Sequence, residues 1–152
     1  MGTKRELAAA EDAGWTALWG IIEAMDPEQR ERPGYFPQGW SVKDLMAHLG
    51  GWQAEAVHTF EQIRNGTFQP VLHDVDETNR SFYEANRDLP LSLVTAELWS
   101  ARTLMLVEWN ALPEITPEAE EWFRESGPGH YEEHLPRLRE WVSELTAPMG
   151  PA

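Results

Sequence analysis

The sequence predicts an all-α fold, an antiparallel four-helix bundle with one longer crossover. Three observations lead there. Apolar residues recur at helical spacing through most of the chain, no alternating apolar–polar stretch is long enough for a strand, and turn-forming residues divide the chain into four main helical segments. At 152 residues the chain has the length of a single domain, 1–152, able to bury a real core.

The first segment runs from about Lys4 to Met25. Its apolar stripe reads Leu7, Ala10, Gly14, Leu18, Ile21, Ile22 and Met25, and Asp26-Pro27 ends it. The loop PGYFPQGW follows, rich in residues that stop helices. Ser41-Val42-Lys43-Asp44 then forms a capping-box pattern, in which the Ser41 hydroxyl accepts from the Asp44 amide while Asp44 reaches back. This second helix continues to about Asn65, where Gly66 is a left-handed terminator, and Thr67 to His73 is the crossover. A third helical region comes in two pieces, Asp74 to about Arg87 and Leu91 to Leu112, separated by Pro90. Leu98, Met105 and Leu112 form a heptad-spaced seam on the second piece. Thr116 caps a short helix with Pro117 in its first position. Gly127-Pro128-Gly129 breaks it, and a last helix spans about His130 to Leu145, with Pro136 expected to kink it.

Composition narrows the function classes. Acidic residues outnumber basic ones 26 to 12, for a formal charge of −14. Such a chain repels phosphate backbones and anionic membrane surfaces, and no Lys/Arg cluster offsets this, so neither nucleic acid nor membrane is an expected partner. No apolar run approaches the roughly 20 residues of a membrane span. Cysteine is absent, which excludes a disulfide framework, thiolate ligands and a cysteine nucleophile. With no signal-peptide pattern at the N-terminus, the cytoplasm is the default compartment. Eight tryptophans are many for this length; they suit bulky core filling, or the walls of a pocket for a hydrophobic small molecule.

Histidines carry the chemistry. His130 and His134 stand four residues apart, about 40° around one helix face and one turn along it. Two imidazoles so placed can reach one cation at roughly 2.0–2.1 Å. A third ligand must come from another helix, and His48, beside the core-facing Leu45 and Leu49, is the candidate. The same residues also read as two surface histidines on a charged helix and one hydrogen-bonded core histidine. Three neutral imidazoles would leave a coordination position open, as catalytic sites do. Trp52 and Glu55 follow His48 on the same helical face, Trp52 as a ligand-stacking wall or as core packing, Glu55 as a general base, a partner of a metal ligand, or a solvated rim residue. Arg102 is a cation within the stripe Trp99, Leu106 and Trp109, either holding an anionic substrate group or snorkelling to the rim. His58 lies about 80° around the helix from His48, and His73 sits in the crossover; both stay outside the expected site.

The segments GWSVKDLMAHLGGW, DETNRSFYEANRDLPLSLVTAEL and GHYEEHLPRLREWV, in this order, resemble the DinB-like superfamily and, within it, the ClbS/DfsB group of four-helix-bundle proteins. The likeness covers nearly the whole chain. It implies an up-down-down-up bundle and a divalent metal on His48, His130 and His134, with zinc first and nickel, iron or manganese as alternatives. It also places Asn79 and Tyr83 at the border of the substrate pocket. The activity it implies is metal-dependent hydrolysis of a reactive small molecule, as in ClbS-like self-protection. The alternatives are transfer of a small thiol such as mycothiol or bacillithiol, or sequestration of a hydrophobic compound without turnover. A homodimer is a further possibility of the fold. A metal with an open position would acidify water to a pKa of about 7 or, in the thiol reading, a cosubstrate thiol.

Overall fold

The computed structural model describes residues 2–147, so residue 1 and residues 148–152 of the expected domain lie outside the described residues. Seven helices are present among those described, and no strand: α1 (Lys4–Ala24), α2 (Pro27–Glu31), α3 (Val42–Asn65), α4 (Val75–Asn86), α5 (Leu91–Ala111), α6 (Pro117–Ser126) and α7 (Pro128–Thr146). The four long helices α1, α3, α5 and α7 form the bundle, with α3 packed on α5 and α1 on α7; the short ones lie in the connections. No described helix is long and apolar enough to cross a membrane.

Local chemistry sets most of these boundaries. Ser41 and Asp44 form the reciprocal capping box at the start of α3, with Ser41 N–H donating to Asp44 Oδ2 at 2.8 Å and Asp44 N–H to Ser41 Oγ at 3.3 Å. Gly66 closes α3 at φ 72°, the left-handed region glycine enters without a Cβ clash. Thr116 caps α6 through the Ala119 amide. The short α2 is absent from the expected pattern, although Asp26-Pro27 carries the same start signal as Thr116-Pro117. Asp26 is its N-cap, accepting from the Gln29 amide at 2.8 Å, and not simply the stop of α1. Arg30 on α2 then donates to the Ile22 carbonyl and satisfies the end of α1.

The last helix also starts earlier than expected. Pro128 occupies its first position and the helix passes through Pro136 to Thr146. Pro136 lies on the exposed face, so the carbonyl freed by its missing N–H meets water. The turn into α7 is tight: a Cβ on Gly129 would fall 2.7 Å from the Arg124 carbonyl oxygen. The glycine-proline-glycine segment therefore joins α6 to α7 directly and puts His130 in the first turn.

Buried side chains form two clusters, one including Trp15, Leu18, Ile22, Leu45, Leu49, Tyr131 and Leu138, the other Phe60, Met105, Trp109 and Phe123. The Leu98, Met105 and Leu112 seam is fully inside. On α1 the buried stripe is Leu7, Glu11, Trp15, Leu18 and Ile22; Ala10, expected inside, is exposed. Glu11, a carboxylate at 0% exposure, replaces it. Arg102 from α5 donates to both Glu11 oxygens at 2.6–3.2 Å, and its guanidinium lies 4.8 Å from the Trp15 ring centre. Tyr131 from α7 donates its hydroxyl to Glu11 at 2.9 Å and accepts from Gln53 of α3 at 2.8 Å. Burial, then the Glu11 charge, pushes the Tyr131 hydroxyl up, which keeps it a donor. One buried carboxylate thus ties all four long helices together.

Candidate metal centre

The two helix starts described above aim three imidazoles at one point. His48 lies in the second turn of α3, His130 in the first turn of α7 and His134 one turn later. The ring centroids are 4.7, 5.3 and 4.9 Å apart, His48 Nε2 is 2.8 Å from His130 Nε2, and one nitrogen from each ring falls within 4.8 Å of the others. Ligands at roughly 2.0–2.1 Å from a shared ion stand about 3.4 Å apart in a tetrahedral set, so rotations of the rings suffice. His130 Nδ1 and His134 Nε2 are buried with no hydrogen-bond partner among the described residues. An unsatisfied buried polar atom costs about 1–3 kcal/mol, a cost that a cation removes from any nitrogen ligating it. The donor set fits a divalent ion.

Electrostatics points the same way. Burial is the main cause that lowers all three imidazoles: His48 to about 4, His130 to about 2, and His134 in the same direction. Repulsion within the triad adds to this at His48 and His130, an Asn79 hydrogen bond opposes it at His48, and the Glu133 charge opposes it at His134. The rings are therefore neutral at physiological pH, the state in which imidazole can ligate a metal.

A cleft of about 470 Å³ opens onto His48 and His134 of the triad. Its walls come from three places: Phe36, Gln38 and Trp40 in the loop before α3, Asp76, Asn79 and Arg80 on α4, and Glu133 beside His134 on α7. Gly51 allows α4 to approach, since a Cβ there would fall 2.6 Å from the Phe82 ring. Arg137 holds the loop, donating to the carbonyls of Tyr35 at 2.8 Å and Gly34 at 3.2 Å. Arg80 is exposed and makes no ion pair among the described residues, whereas most other arginines do.

Of the expected site residues, the structure brings together His48, His130, His134 and Asn79. Trp52 stands behind the cleft wall, donating its indole N–H to Asn79 Oδ1 at 2.8 Å. Tyr83 also lies behind it, stacked on Trp40 at 4.2 Å. Glu55 is not at this site. Seven residues from His48 keep it on the same face but carry it about 10.5 Å along the helix, into a separate cleft with Thr59 and Trp122. Arg102 is not there either; the buried Glu11 engages its guanidinium. Phe36, Gln38, Trp40, Asp76, Arg80 and Glu133 were not anticipated. Asp76 stands one helical turn before Asn79, Arg80 stands four residues after Asp76, and Glu133 adjoins His134, which is the signal that points to them.

The model of the mycothiol maleylpyruvate isomerase N-terminal domain matches residues 12–147. The chain belongs to this family. It is thereby a DinB-like protein, and its fold is shared by solved structures of low sequence identity. An uncharacterised protein from Escherichia coli UTI89 is 21% identical, with a TM-score of 0.78 over 97% of this chain and 96% of that one. The colibactin self-resistance protein ClbS, solved in complex with a dsDNA, is 17% identical, with a TM-score of 0.79 over 91% and 94%. DfsB, described as a sibling lethal factor precursor, is 17% identical, with a TM-score of 0.79 over 96% and 98%. No curated protein matches the sequence.

Proposed function

We propose that this DinB-like chain is a metal-dependent enzyme that uses His48, His130 and His134 to hold a divalent ion, zinc first, and joins a small thiol cosubstrate such as mycothiol to an anionic electrophile. The observation that carries the reading is the convergence of three neutral imidazoles, His130 buried and His48 and His134 half-buried, beside an open cleft that His48 and His134 line. The family match supports the thiol, and the absence of cysteine means that any thiol must come from outside the chain. When bound, the ion supplies Lewis-acid chemistry, making a coordinated thiol acidic enough to act as a thiolate near neutral pH.

The remaining roles fall to the chain. Arg80, exposed without an ion pair, holds the anionic group of the electrophile in the cleft. The Glu133 carboxylate in the cleft wall accepts the thiol proton. Asn79 lines the cleft beside His48 and orients it, and Trp52 acts through Asn79 as a positioning residue. Phe36 and Trp40 give apolar cover that excludes water.

Hydrolysis of a reactive small molecule is the second reading, favoured by the same Glu133, which can equally take a proton from water. The ClbS structure shares only the fold, and the dsDNA in its complex does not transfer readily to a chain of charge −14 that presents no basic cluster.

Metal analysis combined with turnover assays tests the proposal. The purified protein should carry close to one equivalent of metal, lost on His48→Ala and on His134→Ala, and should consume an anionic electrophile only when mycothiol is supplied. Thiol-independent consumption would select hydrolysis. Metal-free protein that binds a hydrophobic compound without turnover would refute both.

A further inference from the structure

A second cleft, of about 270 Å³, lies between α3, α6 and the connection from Gly66 to Asp74, and shares no lining residue with the histidine cleft. Glu55, Glu118 and Glu121 line it, with no lysine or arginine. Three carboxylates in one wall are ordinary on a chain of charge −14 and assign nothing alone. Thr59 adds a distinct signal. It is only 6% exposed and lines the cleft, yet its hydroxyl has no hydrogen-bond partner among the described residues. Of the other helical threonines, Thr95, Thr103 and Thr146 return theirs to the carbonyl four residues back, and Thr16 and Thr78 are less buried. Trp122 supplies an aromatic wall, braced edge-on by His73 at 5.7 Å.

We infer that this cleft binds a small organic cation, a protonated amine with an apolar body. The carboxylates accept its N–H groups in charge-assisted hydrogen bonds, the Thr59 hydroxyl accepts another, and the Trp122 ring packs on the apolar part and attracts the charge. An anion is repelled by the same wall. The inference stands independently of the reading of the metal centre.

Titration of the full-length protein with phenethylamine tests it, followed by calorimetry and by the indole NMR resonance of Trp122. Phenethyl alcohol and phenylacetate serve as neutral and anionic controls of the same shape. The amine should bind saturably and move the Trp122 resonance, at least about ten-fold more tightly than either control. The double variant Glu118→Gln/Glu121→Gln, at two exposed positions, should fold normally and bind about ten-fold more weakly. Thr59→Val should weaken binding without altering the metal content, and His48→Ala should leave amine affinity unchanged. Equal binding of the alcohol, undiminished binding by the glutamine variant, loss of binding in His48→Ala, or no saturable binding at all would each overturn the assignment.

Discussion

Replacing Arg102 by methionine should destabilise the protein far more than it changes any activity. Glu11 is fully buried, and its oxygens have two partners: the Arg102 guanidinium, at 2.6–3.2 Å, and the Tyr131 hydroxyl, at 2.9 Å. Removing one member of a buried ion pair strands the other charge and typically costs about 3–5 kcal/mol. For a domain of this size that corresponds to a fall of roughly 6–20 °C in Tm. Glu11→Gln should cost less, because the Arg102 side chain is 13% exposed and can turn to water and to Asp12, now 3.4 Å away. The double variant Glu11→Gln/Arg102→Met should recover most of the loss, since no buried charge is left and Tyr131 keeps an acceptor. Thermal unfolding of the three variants and of the parent, closed as a double-mutant cycle, measures the coupling. If Arg102→Met costs under about 1 kcal/mol, the range of an exposed pair, or if it raises KM while leaving Tm unchanged, the assignment of Arg102 to the core is refuted.

Three further outcomes follow from the geometry of the site. Gly51→Ala places a Cβ 2.6 Å from the Phe82 ring; it should cost about 1–3 kcal/mol and displace α4, so turnover should fall through Asn79 and Arg80, as kinetics and unfolding measured together will show. Asn79→Ala removes the polar neighbour of His48 in the cleft and the acceptor of the Trp52 indole, and should weaken metal affinity by about 10-fold or more, read by competition with a chelator. The metal-free protein should lose stability as pH falls below about 6.5. The unfolded chain then takes up protons that the folded triad refuses, so each imidazole contributes a loss of up to ~1.4 kcal/mol per pH unit. For His48 the loss levels off near its folded value of about 4, and for His130 near about 2. Chemical denaturation between pH 7 and pH 5 tests the sign; constant stability over that range would mean the rings are not buried neutral.

The helical class, the α3 and α6 starts, the Gly66 stop and the His130/His134 pair were all legible from local pattern, because caps, turns and i, i+4 spacing act over only a few residues. The buried register of α1 was not. Glu11 reads as a surface acid until Arg102, 91 positions away, is known to face it. The same limit misplaced Glu55, since a shared helix face says nothing about which end of the helix meets the site. The loop of Phe36, Gln38 and Trp40 was visible only as a helix breaker; its role as a cleft wall depends on Arg137 holding it from α7.

Residue types and short-range spacing by themselves determined an acidic, cysteine-free helical protein with two histidines on one helix face and a third near a capped helix start. Only the tertiary structure decided that the third ring meets the other two within 4.8 Å, that burial keeps all three neutral, and that Arg102 belongs to the core. The physical reason is distance along the chain. Hydrogen-bonding and helical periodicity are encoded among neighbours, whereas convergence of side chains 82 residues apart and their loss of solvent arise when separate helices pack.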